Sequence, residues 1–132
     1  MRVVLDTQVW LWWLHSPGEL SRAALEAVRK AEHSEGMLVS AISVWEVAVK
    51  HALGKLHIPL EIHKWFELAS GYRNIVIEPV LPVDAIDSTV LPGSFHKDPA
   101  DRIIIAVARR HSIPVVTSDG AIRSYPHVET VW

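Results

Sequence analysis

The chain reads as a single α/β domain, residues 1–132, with a central, mostly parallel sheet flanked by helices. Three observations predict this. Apolar runs of strand length alternate with longer runs of helical period along the whole chain. A length of 132 residues fits one domain and buries about two-thirds of its unfolded surface. Four acids sit where a strand gives way to a helix: Asp6, Glu46, Asp101 and Asp119.

The elements follow in order. Residues 2–6 are apolar and β-branched, a strand, and residues 7–15 continue as a short helix. Residues 21–34 place Ala24, Ala27, Val28 and Ala31 on one side of an amphipathic helix. Residues 37–40 form a strand. Ser43 is expected to cap the next helix, which runs to about Leu53 and stops at Gly54. After Pro59, Ile62, Trp65, Phe66 and Ala69 share a helix face. Residues 74–78 form a strand, and 83–91 a short helix ending at Pro92-Gly93. Pro99 opens a helix through His111. Residues 115–117 form a strand, 119–124 a helical turn and 128–131 a last strand. Crossover connections make the strands parallel. Their order is not legible in the pattern.

Composition excludes several classes. The hydrophobic fraction of 49% excludes a disordered chain. With no cysteine there is no disulfide, thiolate zinc site or cysteine nucleophile. The apolar stretch 9–14 is too short to span a bilayer, and no sorting signal surrounds it. No membrane association and a cytoplasmic location are therefore expected. A net charge of -2 leaves any nucleic-acid contact to a local basic patch.

Taken singly, each acid has a plain structural account. Ser43-x-x-Glu46 has the form of a capping box. Asp98-Pro99-Ala100-Asp101 reads as N-cap, N1 and N3. Asp119-Gly120 makes a turn, and Asp6 caps the first helix. Taken together they point to chemistry. In a parallel sheet all four lie along the carboxyl edge, where ligands bind. Carboxylates gathered there repel one another unless a hard divalent cation sits among them. Oxygen ligands alone suit Mg2+, with Mn2+ as a substitute.

The pieces Leu5-Asp6-Thr7, Val39 to Glu46, His96-Lys97-Asp98-Pro99-Ala100-Asp101-Arg102 and Thr117-Ser118-Asp119 resemble the PIN-domain ribonucleases. Among these the chain is most similar to VapC-type toxins of toxin–antitoxin pairs. The resemblance covers nearly the whole chain, and segment 96–102 is its most specific part. It implies a metal-dependent endoribonuclease that hydrolyses RNA with metal-activated water. It assigns Asp6, Glu46, Asp101 and Asp119 to the catalytic, metal-binding set, with Asp98 beside them. It also implies a cognate antitoxin protein and a homodimer.

Supporting roles are open on the sequence. The hydroxyls of Thr7 and Ser118 either orient a carboxylate or cap a helix. Arg102 either binds phosphate or, the better reading, pairs with a neighbouring acid. Lys50 lies four residues after Glu46, so it pairs with it or faces RNA. No two of the eight histidines have i,i+4 ligand spacing, so a histidine zinc site is not expected. His96 is close enough to Asp98 to touch RNA or a partner. Trp45 and Trp65 fit core faces. Trp10, Trp12 and Trp13 lie on a helix that is apolar nearly all round, which needs cover from its neighbours or from another chain.

Two rival functions remain. One is phosphoryl transfer through Asp6. Haloacid-dehalogenase-like phosphatases would need an acid two residues on, where Gln8 stands. The other is a noncatalytic RNA- or protein-binding module on the same fold.

Overall fold

The computed structural model describes residues 1–132. Five short parallel strands form one sheet: β1 (Val3–Leu5), β2 (Met37–Ser40), β3 (Ile75–Glu78), β4 (Val115–Val116) and β5 (Thr130–Val131). Seven helices connect them: α1 (Thr7–His15), α2 (Arg22–Glu32), α3 (Ala41–Ala52), α4 (Ile62–Ala69), α5 (Pro82–Thr89), α6 (Pro99–His111) and α7 (Gly120–Arg123). No helix is long and apolar enough to cross a membrane. The strand order is β3-β2-β1-β4-β5, all pairs parallel. The chain thus winds outward from β1 in one direction, then returns to place β4 on its other side. That reversal is the switch point where open α/β sheets bind ligands.

The period of two along each strand divides the core. Val3 and Leu5 face α1, α2 and α4 together with Met37, Val39 and Val116. Val4, Leu38 and Val115 face the other way, against Ile104, Val107 and Ala108 of α6. The far side of α6 buries Ile105 and Ala106 against Ile122, Tyr125 and Leu91. α6 is thus apolar on two sides, which is why its N-terminal end is held close to the sheet edge.

Most helix ends follow from local chemistry. Ser21 Oγ accepts the Ala24 N–H at 3.1 Å, and Glu61 caps α4 through His63 and Lys64. α3 closes as expected at Gly54, which is left-handed (φ +71°). The Gly54 N–H reaches His51 O and the Lys55 N–H reaches Lys50 O, a Schellman closure. Gly36 has a stricter role. Its φ is +97°, and a Cβ there would sit 2.9 Å from Asn74 O. Only glycine lets β2 begin beside the turn into β3.

Two expectations fail. Ser43 does not cap α3. The helix starts earlier, at Ala41, and Ser40 Oγ takes the Ile42 N–H at 3.2 Å. Trp45 does not pack in the core and is 58% exposed. The two errors share a cause. With Ser43 inside the helix and fully buried, the core face of α3 runs through Ser43 and Val47, so Trp45 turns outward. Of the two readings of α1, packing on its own neighbours accounts for Trp10 fully and for Trp12 and Trp13 in part. Trp10 is 0% exposed and meets Trp65 edge-on at 5.2 Å. Trp13 packs on Tyr72 at 5.1 Å and Trp12 on Trp132 at 5.8 Å. Trp65 is buried as expected.

Candidate active site

Asp6 ends β1 and is buried. Its Oδ2 accepts the Thr117 hydroxyl at 2.7 Å. The pairing of Leu5 with Val116 explains this, since the next register step sets Asp6 beside Thr117. Thr117 Oγ1 in turn accepts the Asp119 N–H at 3.0 Å. One buried hydroxyl therefore links the residues that follow β1 and β4. The sequence pointed to Ser118 for such a role, yet no hydrogen bond reaches the Ser118 hydroxyl.

Glu46 lies in the second turn of α3, not at its opening. Thr7 Oγ1 stands 2.5 Å from Glu46 Oε1 and 2.7 Å from Ser43 Oγ. A hydroxyl has one proton and an ionised carboxylate only accepts. Thr7 therefore donates to Glu46, and Ser43 donates to Thr7. The capping-box account of Ser43 and Glu46 gives way to this relay, which orients Glu46 from α1. Lys50 forms no ion pair with Glu46. Its charge still favours the ionised forms of Asp6 and Glu46.

Segment 96–102 folds largely as its sequence reads. Asp98 caps α6 by accepting the Asp101 N–H at 3.1 Å, with Pro99 in the first turn. Asp101 is thereby freed from capping and faces the other acids. Arg102 pairs with no acid. Its Nε donates to Ser88 O at 2.7 Å, and its Nη1 to Phe95 O and His96 O at 3.2 Å each. It fastens the loop before α6 to the end of α5. His96 Nε2 lies 3.1 Å from Asp101 Oδ2. Asp119 caps α7 through the Ala121 and Ile122 N–H groups.

Burial and neighbouring negative charge act on three of the four acids. Burial pushes the Asp101 carboxyl up to about 7, helped by the charges of Asp98, Asp6, Asp119 and Glu46. Burial also raises Asp6, opposed by the Thr117 hydrogen bond and reinforced by Asp119. Glu46 is raised by burial, and the Asp98 and Asp6 charges add to this. Donor atoms of His96, Asp101 and Asp119 all lie within 4.8 Å of one another. Asp6 and Glu46 lie outside that trio and are hydrogen-bonded by Thr117 and Thr7. The carboxylate oxygens of this edge, mutually repelling and part-buried, fit a hard divalent cation.

The roles of three residues escaped the sequence reading. Thr117 and Ser43 act through strand order and helix phase, which the sequence does not display. His96 carried a signal, its two-residue distance from Asp98, but its contact is with Asp101.

Known proteins resemble this chain along nearly its whole length. Residues 3–128 match the PIN domain family. The chain is 37% identical to Ribonuclease VapC22 of Mycobacterium tuberculosis, over 98% of both chains. Its fold resembles VapBC2 from Rickettsia felis bound to a promoter DNA fragment, with a TM-score of 0.70 and 12% identity over 98% of this chain and 97% of that one. DNA-bound VapBC from Salmonella typhimurium matches at a TM-score of 0.69 and 15% identity, over 98% and 96% of the two chains. With an acidic edge at the switch point of a 3-2-1-4-5 parallel sheet, and a relative this similar along its whole length, the chain belongs to the PIN-domain family and is a homologue of the VapC ribonucleases.

Proposed function

We propose that this chain is a divalent-cation-dependent endoribonuclease that acts as the toxin of a toxin–antitoxin pair. One observation carries the reading: burial and the charges of neighbouring acids raise Asp6, Glu46 and Asp101, with Asp119 among the charges acting on Asp6 and Asp101. No lysine or arginine forms an ion pair with any of them. Asp101, Asp119, Asp6 and Glu46 would hold Mg2+, or Mn2+ in its place. The cation would supply Lewis acidity toward a phosphodiester oxygen and toward water. The protein's own contribution is orientation. Thr117 fixes Asp6, Thr7 fixes Glu46, and the N-terminus of α6 favours the ionised form of Asp101.

The reading puts the activity in the cytoplasm, where RNA and a co-expressed antitoxin meet. A basic antitoxin side chain at the acidic edge would compete with the cation and block RNA together. The homodimer proposal rests less on α1, where Trp10 is buried and Trp12 and Trp13 are half-buried. It rests more on α5, where Val83, Ile86 and Val90 form an exposed apolar stripe. Light scattering that shows only monomer at high concentration would remove it.

The activity test uses antitoxin-free protein and a single-stranded or loop RNA. Cleavage is expected with Mg2+ or Mn2+, none in excess chelator, and recovery when the cation returns. Full cleavage in chelator would overturn the metal mechanism.

A further inference from the structure

We infer that His96 is a positioning residue that grips Asp101 through its Nε2–H, rather than a ligand of the cation. The inference rests on the metal reading above and assigns a role to a residue outside the four acids. The Asp98 N–H donates to His96 Nδ1 at 3.3 Å. A ring nitrogen that accepts carries no proton, so the neutral ring carries its proton on Nε2. That nitrogen faces Asp101 Oδ2 at 3.1 Å. In this tautomer neither nitrogen has a lone pair to offer a cation. One is occupied by the Asp98 amide, and the other is a donor.

The ring is also held from behind. Phe95 lies against it at 4.2 Å and itself packs edge-on to Tyr125 at 5.1 Å. Arg102 fastens the carbonyls of Phe95 and His96. Segment 96–102 thus closes on itself. Arg102 holds the loop, the Asp98 amide sets the tautomer, and His96 turns Asp101 toward the other acids. A carboxylate already held in place loses less freedom when it takes up a cation, so removing its holder weakens the cation.

The first test is independent of activity and of metal. Nitrogen-15 NMR of the metal-free protein should show His96 as the Nε2–H tautomer. An Nδ1–H tautomer would overturn the inference. The second test is Mn2+ titration calorimetry on wild type, H96Q, H96A and D101N, each with its melting curve. Gln presents an amide N–H near the position of Nε2, so H96Q should retain Mn2+ affinity while H96A loses about 10-fold. If H96Q falls as far as H96A, the donor role is wrong. If H96A binds as wild type while D101N has lost the ion, the inference fails and the metal reading stands. If D101N binds Mn2+ as well as wild type does, the metal reading fails, and the inference with it.

Discussion

The two ends of α6 carry two groups of carboxylates, and the protein treats them in opposite ways. At the C-terminal end, Asp84 is only 1% exposed. It is gripped by Arg110 through Nε at 2.7 Å and Nη2 at 3.0 Å, and it also accepts the Leu81 N–H. Glu78 takes Arg110 at 3.3 Å and His111 at 2.8 Å. Every acid there has a cation or a donor of its own. At the N-terminal end, Asp101 is part-buried among four other acids and has no lysine or arginine partner. Both ends obey the helix dipole, with acids at the start and cations at the finish. Only one end is neutralised from within. A lysine or arginine partner for the buried acid at one end, and none in an ion pair with the cluster at the other, is what the proposed cation site requires.

The contrast breaks most sharply at Asp101. D101N should lower Mg2+-dependent RNA cleavage by roughly 100-fold or more, read on a gel with a labelled RNA. It should leave the fold intact, because Asp98 and not Asp101 caps the helix. Wild-type cleavage by D101N would remove the site.

At the other end the large effect should be on stability. R110A leaves Asp84 buried without its counter-ion, at a cost of about 3 kcal/mol in urea unfolding. A loss below about 1 kcal/mol would show that solvent replaces Arg110 easily, and would weaken the contrast.

The third effect is a pH slope. In the metal-free protein the Asp101 pKa is raised from 3.8 to about 7, so the fold binds a proton that the unfolded chain has released. Stability should therefore fall as pH rises from about 4 to 7, with Asp6 and Glu46 adding in the same direction. D101N should flatten the slope, and saturating Mg2+ should reverse it, since the cation binds the ionised acids. Melting curves across this range check both. A metal-free protein that gains stability over the same window would contradict the reading.

The smallest effects separate two neighbouring hydroxyls. T117V removes the donor to Asp6 and should slow cleavage about 10-fold, while T117S keeps it. S118A should stay within about 0.5 kcal/mol of wild type and retain activity. Equal losses in T117V and S118A would mean that orientation of Asp6 does not matter.

Much of this was legible in the residues. The alternation of strand and helix, the Asp98 cap with Pro99 behind it, and the Gly54 stop are local, so they survive without any knowledge of the fold. Asp6, Asp101 and Asp119 stand out in the sequence because each lies at the end of a local element, whereas Glu46 sits in the second turn of α3. The losses were of another kind. Ser43 has the chemistry of a cap, and its actual role depends on Thr7, 36 residues away. Arg102 has the chemistry of a phosphate or carboxylate partner, and its three carbonyls come from Ser88, Phe95 and His96. Trp45 reads as core until the phase of α3 is known.

By itself, the sequence determined that this is a parallel α/β domain with an acidic carboxyl edge. Periodicity, caps and turn residues act over a few positions, and their physics is complete there. The tertiary structure decided strand order, and with it that Asp6 stands beside Thr117 at a separation of 111 residues. It decided which hydroxyl orients which acid, and that His96 faces Asp101. Those contacts depend on how the β1–β4 register and the seating of α3 and α6 bury apolar surface, a non-directional force that leaves no local mark on the polar residues it brings together.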